Sequence, residues 1–170
     1  MKKTLYAYAA LIACALLVNT APVHAKIFMN QISNQEYKFT VTSPRPSWNL
    51  GTWKTDSING AFIGFYYETE HRATILSKGV YNSSVEEEYT LATTEYVPVD
   101  AVHHEQQLTP WGTIDAYYWN GEKNGGVVNV RLYAITRDTI TYATICACPT
   151  DKVAEFEPTF NTYVQSLILN

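Results

Sequence analysis

The chain has 170 residues, three cysteines, and 16 acidic against 12 basic residues, which gives a formal net charge of −4. This length suits one domain with a substantial core, and three cysteines are too few for a disulfide framework. The basic residues form no run that could track a phosphate backbone. The composition therefore argues against a nucleic acid or an anionic membrane surface as a partner.

The first 25 residues have the three parts of a secretory signal peptide. Two lysines supply a positive start, an uncharged apolar stretch follows, and Val23 and Ala25 stand at the −3 and −1 positions of a cleavage site. The apolar stretch is shorter than the roughly 18–20 residues that span a bilayer, although a retained anchor is the alternative. We predict cleavage after Ala25 and a single mature domain over residues 26–170, in the periplasm or secreted, with a formal charge of −6.

A second interpretation of the N-terminus concerns Cys14. Residues 11–14 resemble a bacterial lipobox, in which this cysteine would be lipidated. The apolar run before it is short, however, and residues 15–18 stay apolar where lipoproteins turn polar. Ordinary cleavage is therefore favoured over lipidation. No later stretch is apolar enough to predict a transmembrane segment.

The first half of the mature chain is predicted to form strands. Residues 36–42 alternate, with the odd-numbered side chains apolar and facing inward, and the prolines that follow end the strand. Trp48 and Trp53 fall in a predicted loop. Residues 61–68 and 72–80 are predicted strands joined as a hairpin.

Two helices are predicted. Residues 84–96 carry apolar side chains at helical spacing. Each of two serines stands three residues before a glutamate, the pattern of a capping box: Ser83 with Glu86, and Ser84 with Glu87. Near the C-terminus, helical spacing resumes, and we predict a short turn and then a helix over residues 158–168, with Pro158 at its first position.

The region between the helices is predicted to be β. Residues 102–108 form a polar strand of the kind found at sheet edges. The apolar runs 112–119, 127–135 and 139–148 follow, with a turn cluster at 120–126, and together they predict an antiparallel three-strand meander.

Three features together resemble the PsbP-like superfamily, whose members include PsbP-type and periplasmic DcrB-type proteins. They are the strand Tyr37-Lys-Phe39-Thr-Val41, prolines before Trp48, and a closing helix that runs from Phe160 to Ser166. The resemblance implies an α+β fold in which helices cover an antiparallel sheet of about six strands as an αβα sandwich. It also implies a non-enzymatic role in docking on another protein, and it carries no catalytic residue over to this chain.

Adjacent histidines at His103 and His104 suggest a metal site. A zinc-protease helix needs His-Glu-x-x-His, and here the position of the second histidine is occupied by Leu108. Neighbouring residues on a strand point to opposite faces, so the two imidazoles could not share one ion without a bend. A polar surface strand is therefore favoured over a catalytic metal.

Cys146 and Cys148 remain after signal cleavage. On a strand they face the same side with Cα atoms about 6.5–7 Å apart, at the outer limit for a disulfide. Three interpretations stay open: buried thiols, a disulfide within or between chains, and a soft-metal pair that could recruit His103.

Aromatic residues are abundant, with 4 Trp, 13 Tyr and 6 Phe. Neighbouring aromatics on strands must face opposite sides, so one of each pair is exposed if only one sheet face is covered. Exposed aromatics mark contact surfaces, and the predicted binding residues are Tyr67, Trp111, Tyr117 and Trp119. The alternative is that helices cover both faces.

No phosphate loop, nucleophile elbow or Cys-x-x-Cys motif is present. We therefore expect an exported, non-enzymatic envelope protein without a cofactor, which binds a protein partner through an aromatic sheet face. The alternative is a periplasmic small-ligand or metal-binding protein that uses Cys146 and Cys148.

Overall fold

The computed structural model describes residues 31–44, 48–55, 60–66 and 73–170. The residues after Gln31 form one compact unit, Ile32–Asn170. The strands are β1 Gln31–Asn34, β2 Phe39–Thr42, β3 Asn49–Thr55, β4 Gly60–Tyr66, β5 Thr74–Tyr81, β6 Val97–Pro98, β7 His103–Thr109, β8 Gly112–Lys123, β9 Gly126–Arg137, β10 Ile140–Pro149 and β11 Ile168–Leu169. The helices are α1 Val85–Glu95 and α2 Val153–Ser166, and a single 3-10 turn, Thr150–Lys152, precedes α2.

Eight strands form one sheet in the order β3-β4-β5-β10-β9-β8-β6, and β7 also pairs with β8. The predicted hairpin of β4 with β5 and the predicted meander of β8, β9 and β10 are both confirmed. Asn124 and Gly125 have φ angles of 52° and 77°, as a two-residue hairpin turn requires. Only this pair leaves the ladder, so β8 runs on to Lys123 rather than ending at residue 119.

Both faces of the sheet are covered, as an αβα sandwich requires. On β10 the even-numbered side chains pack in the core beneath α2, together with Phe156 and Phe160. The odd-numbered residues Ala143, Ile145 and Ala147 pack in a second core beneath α1. The α+β class and the helix-covered antiparallel sheet are therefore confirmed.

The capping box at the start of α1 is confirmed for one of the two predicted pairs. The Glu87 amide donates to Oγ of Ser84 at 3.1 Å, and the Ser84 amide donates to Oε2 of Glu87 at 3.0 Å. Ser83 does not form the second box with Glu86. Its hydroxyl donates instead to Oε1 of Glu88 at 3.0 Å, because Glu88 is the glutamate that turns inward.

The start of α2 differs from the prediction because Pro158 lies inside the helix. Proline has no N–H to donate to the carbonyl of Ala154, and in a helix interior it costs about 3 kcal/mol. Phe156 and Phe160 flank it and are both fully buried. Burial of each ring stabilises by about 1.5–3 kcal/mol, which outweighs the lost hydrogen bond.

A second, smaller sheet was not predicted. It consists of β1, β2 and β11, and it replaces the predicted helix end at residue 168, because Ile168 pairs with Thr40 instead. The strand predicted over residues 36–42 is shortened to Phe39–Thr42, since Lys38 adopts a φ of 52°. The predicted count of about six strands thus becomes eight in the main sheet and three in this one.

The predicted loop around Trp53 is also wrong, because Trp53 lies in β3 and its backbone pairs with Phe62 of β4. The segment has no clear alternation of its own and becomes a strand by pairing. In the part of the chain that is described, neither helix is long and apolar enough to cross a membrane.

Candidate functional site

The hairpin of β7 and β8 carries most of the side chains that the sequence singled out. His103 pairs with Tyr118, and His104 pairs with Tyr117. The two histidines point to opposite faces of the sheet, as predicted, and each ring stacks on the tyrosine opposite it. The edge of the sheet therefore presents two different surfaces, one on each face.

The surface on the α1 face, here called the ring surface, consists of Tyr89, His104 and Tyr117. Tyr117 lies between the other two rings, with centroids 4.4 Å from His104 at an interplanar angle of 14° and 4.6 Å from Tyr89 at 31°. Nε2 of His104 donates to Oδ1 of Asp115 at 2.9 Å, which fixes the imidazole over the tyrosine. The result is a preformed row of three rings, of which Tyr89 and Tyr117 are partly exposed and His104 is exposed.

Burial raises the pKa of Tyr117, and the nearby carboxylate of Asp115 raises it further. The hydroxyl therefore stays protonated at neutral pH and can donate a hydrogen bond. Because His104 and Tyr89 stack against its ring, Tyr117 offers a partner its exposed edge and its polar tip.

The surface on the opposite face, here called the charged surface, consists of His103, Glu105, Gln107, Tyr118 and Arg131. The Gln107 amide donates to Oε1 of Glu105 at 2.7 Å and contacts the Tyr118 hydroxyl, which itself donates to Glu105 at 3.2 Å. The hydrogen bond from Gln107 contributes most to lowering the pKa of Glu105. Burial and the charge of Glu105 raise the pKa of Tyr118 to about 12.

Arg131 anchors the charged surface from below. Its guanidinium lies 5.7 Å from the ring centre of Tyr118 and donates through Nη2 to Oε1 of Glu157 at 2.8 Å. Burial opposes the charge on Arg131, but the hydrogen bond to Glu157 and the further interactions with Tyr133 and Glu157 together outweigh it, and the net effect is a raised pKa. These groups are already paired with one another, so this surface is held together by its own charges.

Two predicted binding residues are core residues instead. Trp111 is 2% exposed and Trp119 is 3% exposed. The indole of Trp111 donates to the carbonyl of Val164 at 3.0 Å, and that of Trp119 donates to the carbonyl of Tyr96 at 2.8 Å. The prediction of exposed tryptophans is wrong because helices cover both faces, the alternative that the sequence left open.

Gly121 allows the close approach around Trp119. A Cβ at this position would lie 2.8 Å from both the indole nitrogen of Trp119 and the carbonyl oxygen of Tyr96. Any side chain here would separate the donor from its acceptor. The fourth predicted binding residue, Tyr67, lies outside the described residues.

Cys146 and Cys148 are both free and fully buried beneath α2. Burial raises the pKa of both thiols, that of Cys148 to about 11, so neither is a thiolate at neutral pH. The interpretation as a disulfide between the two cysteines is wrong, because both are free and β10 keeps regular pairing through both positions, which holds the Cα atoms at the outer limit for a bridge. Both side chains are fully buried, which disfavours a bridge to a second chain.

The metal interpretation that joins the cysteines to His103 is also wrong. At the same level of the sheet, His103 pairs with Tyr118, Tyr118 with Arg131, and Arg131 with Cys146. Three strand spacings separate the histidine from the cysteine, about 14 Å at the usual spacing, against metal bonds of about 2.0–2.3 Å. No group of three or more potential ligands lies together anywhere in the described part of the chain.

A groove of about 600 Å³ runs between the start of α1 and β5. The buried ammonium of Lys78 is ion-paired to the buried carboxylate of Glu88 on its floor, and Val80 and Leu91 line its apolar side. Sequence reasoning missed this ion pair and also missed Tyr89, His104 and Asp115 as a group. For the ion pair, no local signal existed, because its partners are ten residues apart on different elements.

No family model matches the chain, and no curated protein matches it. Among solved structures, the solution structure of the cyanobacterial PsbP protein CyanoP from Synechocystis aligns with a TM-score of 0.57 at 10% identity, and the alignment covers 82% of this chain and 91% of that one. The crystal structure of LpqN from Mycobacterium tuberculosis, described as involved in cell envelope biogenesis, aligns with a TM-score of 0.45 at 10% identity over 74% of this chain and 80% of that one.

The LpqN alignment is too weak to support an argument, and at 10% identity the CyanoP alignment speaks to the fold alone. The chain therefore has a PsbP-like fold.

Proposed function

We propose that this protein is an exported, non-enzymatic accessory protein of the bacterial envelope that binds another protein through the ring surface. The observation that carries the proposal is the preformed row of Tyr89, Tyr117 and His104, which lies at the margin of the second core and ends at the exposed ring of His104. Rigid aromatic side chains bury much area at little entropic cost and dominate protein contacts.

The predicted signal peptide supports the location, and the arrangement of polar groups supports the absence of catalysis. Nε2 of His104 lies 2.9 Å from the partly exposed carboxylate of Asp115, as the imidazole of a general base would. Its hydrogen-bond and ring partners among the described residues are Asp115 and Tyr117, so it has no serine or cysteine to activate. The pair orients a ring for contact.

The experiment compares two variants that differ only in the face affected. Cells that produce tagged protein are crosslinked, and captured proteins are quantified by mass spectrometry for Tyr117→Ala and for Tyr118→Ala, its neighbour on the opposite face. We expect capture of the partner to fall about tenfold or more for Tyr117→Ala, as for a hot-spot aromatic, and to persist for Tyr118→Ala.

Near-ultraviolet circular dichroism of both variants checks that each is folded. Equal capture by the two folded variants would show that the ring surface does not carry binding. The N-terminal peptide recovered in the same experiment distinguishes cleavage after Ala25 from lipidation at Cys14.

The groove beside α1 favours a second candidate, the binding of a small molecule. Its volume of about 600 Å³ lies in the range of ligand sites, which combine apolar walls with a few placed polar groups. Lys78 and Glu88 supply buried charge, and Leu91 supplies an exposed apolar wall. This site replaces the cysteine pair as the place where a ligand could enter.

Native mass spectrometry of protein purified from its own cells tests this candidate. Leu91→Arg fills the groove, whereas Thr94→Arg places the same side chain on an exposed part of α1 outside it. We expect a copurifying small molecule in the parent and in Thr94→Arg that is lost in Leu91→Arg. Protein that carries no added mass in any form would eliminate the candidate.

A further inference from the structure

The outer edge of β7 is exposed and regular. Its side chains at residues 103–106 are all exposed, and Leu108 is 83% exposed, the most of any large apolar side chain described. Among the described residues, β7 pairs with β8 alone. One row of its backbone donors and acceptors therefore faces outward, ready to pair with another strand.

This edge lacks the features that usually prevent strand addition. Natural edge strands are shortened, bulged, or guarded by proline or lysine. β7 keeps an unbroken register with β8 over seven residues, from His103 to Thr109, and it contains no proline, lysine or arginine. Its single carboxylate is Glu105. An edge this long and this weakly charged is suited to pairing.

The sequence of β7 is complementary to itself when two copies run antiparallel with a two-fold axis at Gln106. In that register His103 lies opposite Thr109, His104 opposite Leu108, and Glu105 opposite Gln107 of the second copy. No like charges face each other, a condition that cross-strand pairs must meet. The carboxylate lies opposite an amide, the pairing that Glu105 and Gln107 already make within one chain.

We propose that two copies of this chain pair through β7, antiparallel about Gln106, to form one continuous sheet. The two-fold axis is perpendicular to the sheet, so each face continues into the same face of the second copy. Leu108 of one copy then lies beside His104 of the other, which covers the most exposed apolar side chain described. This inference rests on the strand edge and does not depend on the proposed function.

The dimer would place two ring surfaces side by side on one face. His104 is the outermost ring of each surface because β7 is the edge strand. A partner with two-fold symmetry, or one with two equivalent segments, would contact both copies, and the second contact would be intramolecular in effect.

The test uses the full chain, purified from producing cells, and measures mass by sedimentation velocity over a concentration series. We expect the parent to change from monomer to dimer as concentration rises. Gln106→Lys places two like charges directly opposite at the axis, and we expect it to weaken the dimer about fivefold or more at low ionic strength. Gln165→Lys makes the same change on an exposed position of α2 and serves as the matched control.

Charge exchange makes the test specific for the register. Gln106→Glu should also weaken self-association, whereas an equimolar mixture of Gln106→Lys and Gln106→Glu should form a dimer at least as stable as the parent. A parent that stays monomeric throughout would overturn the proposal. So would Gln106→Lys and Gln106→Glu proteins that dimerise as the parent does, or a mixture that gains nothing over either variant alone.

Discussion

The two faces of the β7–β8 hairpin carry the same residue types and put them to different use. Tyr117 and Tyr118 are neighbours, as are His103 and His104, and each tyrosine stacks with one histidine. On the α1 face the rings stack closely and are fixed by Asp115. On the α2 face Tyr118 is drawn into hydrogen bonds with Glu105 and Gln107 over Arg131. The difference shows that aromatic content alone does not identify a contact surface, because charge and covering helices decide which rings stay available.

The largest loss of stability is expected for Trp119, an aromatic residue of the α1 face that is buried in the core. Trp119→Ala removes a buried indole and its hydrogen bond to Tyr96, and it should lower the free energy of unfolding by about 3–5 kcal/mol. Tyr117→Phe, two residues away, keeps the ring and should change it by less than about 0.5 kcal/mol. Urea denaturation measures both, and similar losses would contradict the assignment of Trp119 to the core and Tyr117 to the surface.

On the α2 face, Arg131 is the group that distinguishes the charged surface. Arg131→Met keeps a long apolar stem but removes the hydrogen bond to Glu157 and the charge beneath Tyr118. Because Glu157 is half exposed and can be rehydrated, we expect a loss of about 1–2 kcal/mol in the free energy of unfolding. Glu157→Gln retains an acceptor for Arg131 and should cost less. The reverse order in urea denaturation would show that the pair does not anchor this surface.

The pH dependence of the free energy of unfolding should report on Tyr118, which lies on the α2 face. The pKa of Tyr118 is raised from its ordinary value of 10.0 to about 12 in the folded protein, so the folded protein keeps the proton where the unfolded chain loses it. The corresponding stability is complete below pH 10 and is lost as pH rises toward 12. Tyr118→Phe should therefore lose less stability than the parent across this window in denaturation series. Equal slopes for the two proteins would contradict the buried, carboxylate-facing environment of Tyr118.

The smallest effects are expected from the two histidines. His104→Ala removes a ring stacked 4.4 Å from Tyr117 and should cost about 0.5–1 kcal/mol. His103 is 69% exposed, and its ring centre lies 6.0 Å from that of Tyr118, so His103→Ala should fall within about 0.5 kcal/mol of the parent. Thermal unfolding of the matched pair checks the order. A larger loss of stability for His103→Ala than for His104→Ala would mean that the ring surface is not better ordered than the charged surface.

Several expectations from sequence were confirmed because they depend on short-range geometry. The alternation of side chains along a strand placed His103 and His104 on opposite faces, and the capping pattern predicted the start of α1 to within one residue of Val85. The meander followed from three apolar runs separated by turn residues. In each case the controlling interactions lie within a few residues of one another, so the order of residues was sufficient.

The expectations that failed depended on which element lies above which. Trp119 and Tyr117 share one face of β8, yet α1 buries the first and leaves the second as the middle of a ring stack. Pro158 stays inside α2 because Phe156 and Phe160, which flank it, are buried in a core made by residues far away in the sequence. Trp53 joins a strand because β4 supplies the partner. None of these pairings is encoded in local spacing.

The order of residues alone was enough to establish the α+β class, the helix-covered antiparallel sheet and the polar nature of the β7 edge, since periodicity and turn chemistry act locally. Packing in three dimensions decided that Trp111, Trp119, Cys146 and Cys148 are buried. It also decided that His104, Tyr117 and Tyr89 form one surface, and that Lys78 and Glu88 pair beside a groove. The physical reason is that burial and charge pairing arise between elements far apart in the chain, where spacing along the sequence carries no distance information.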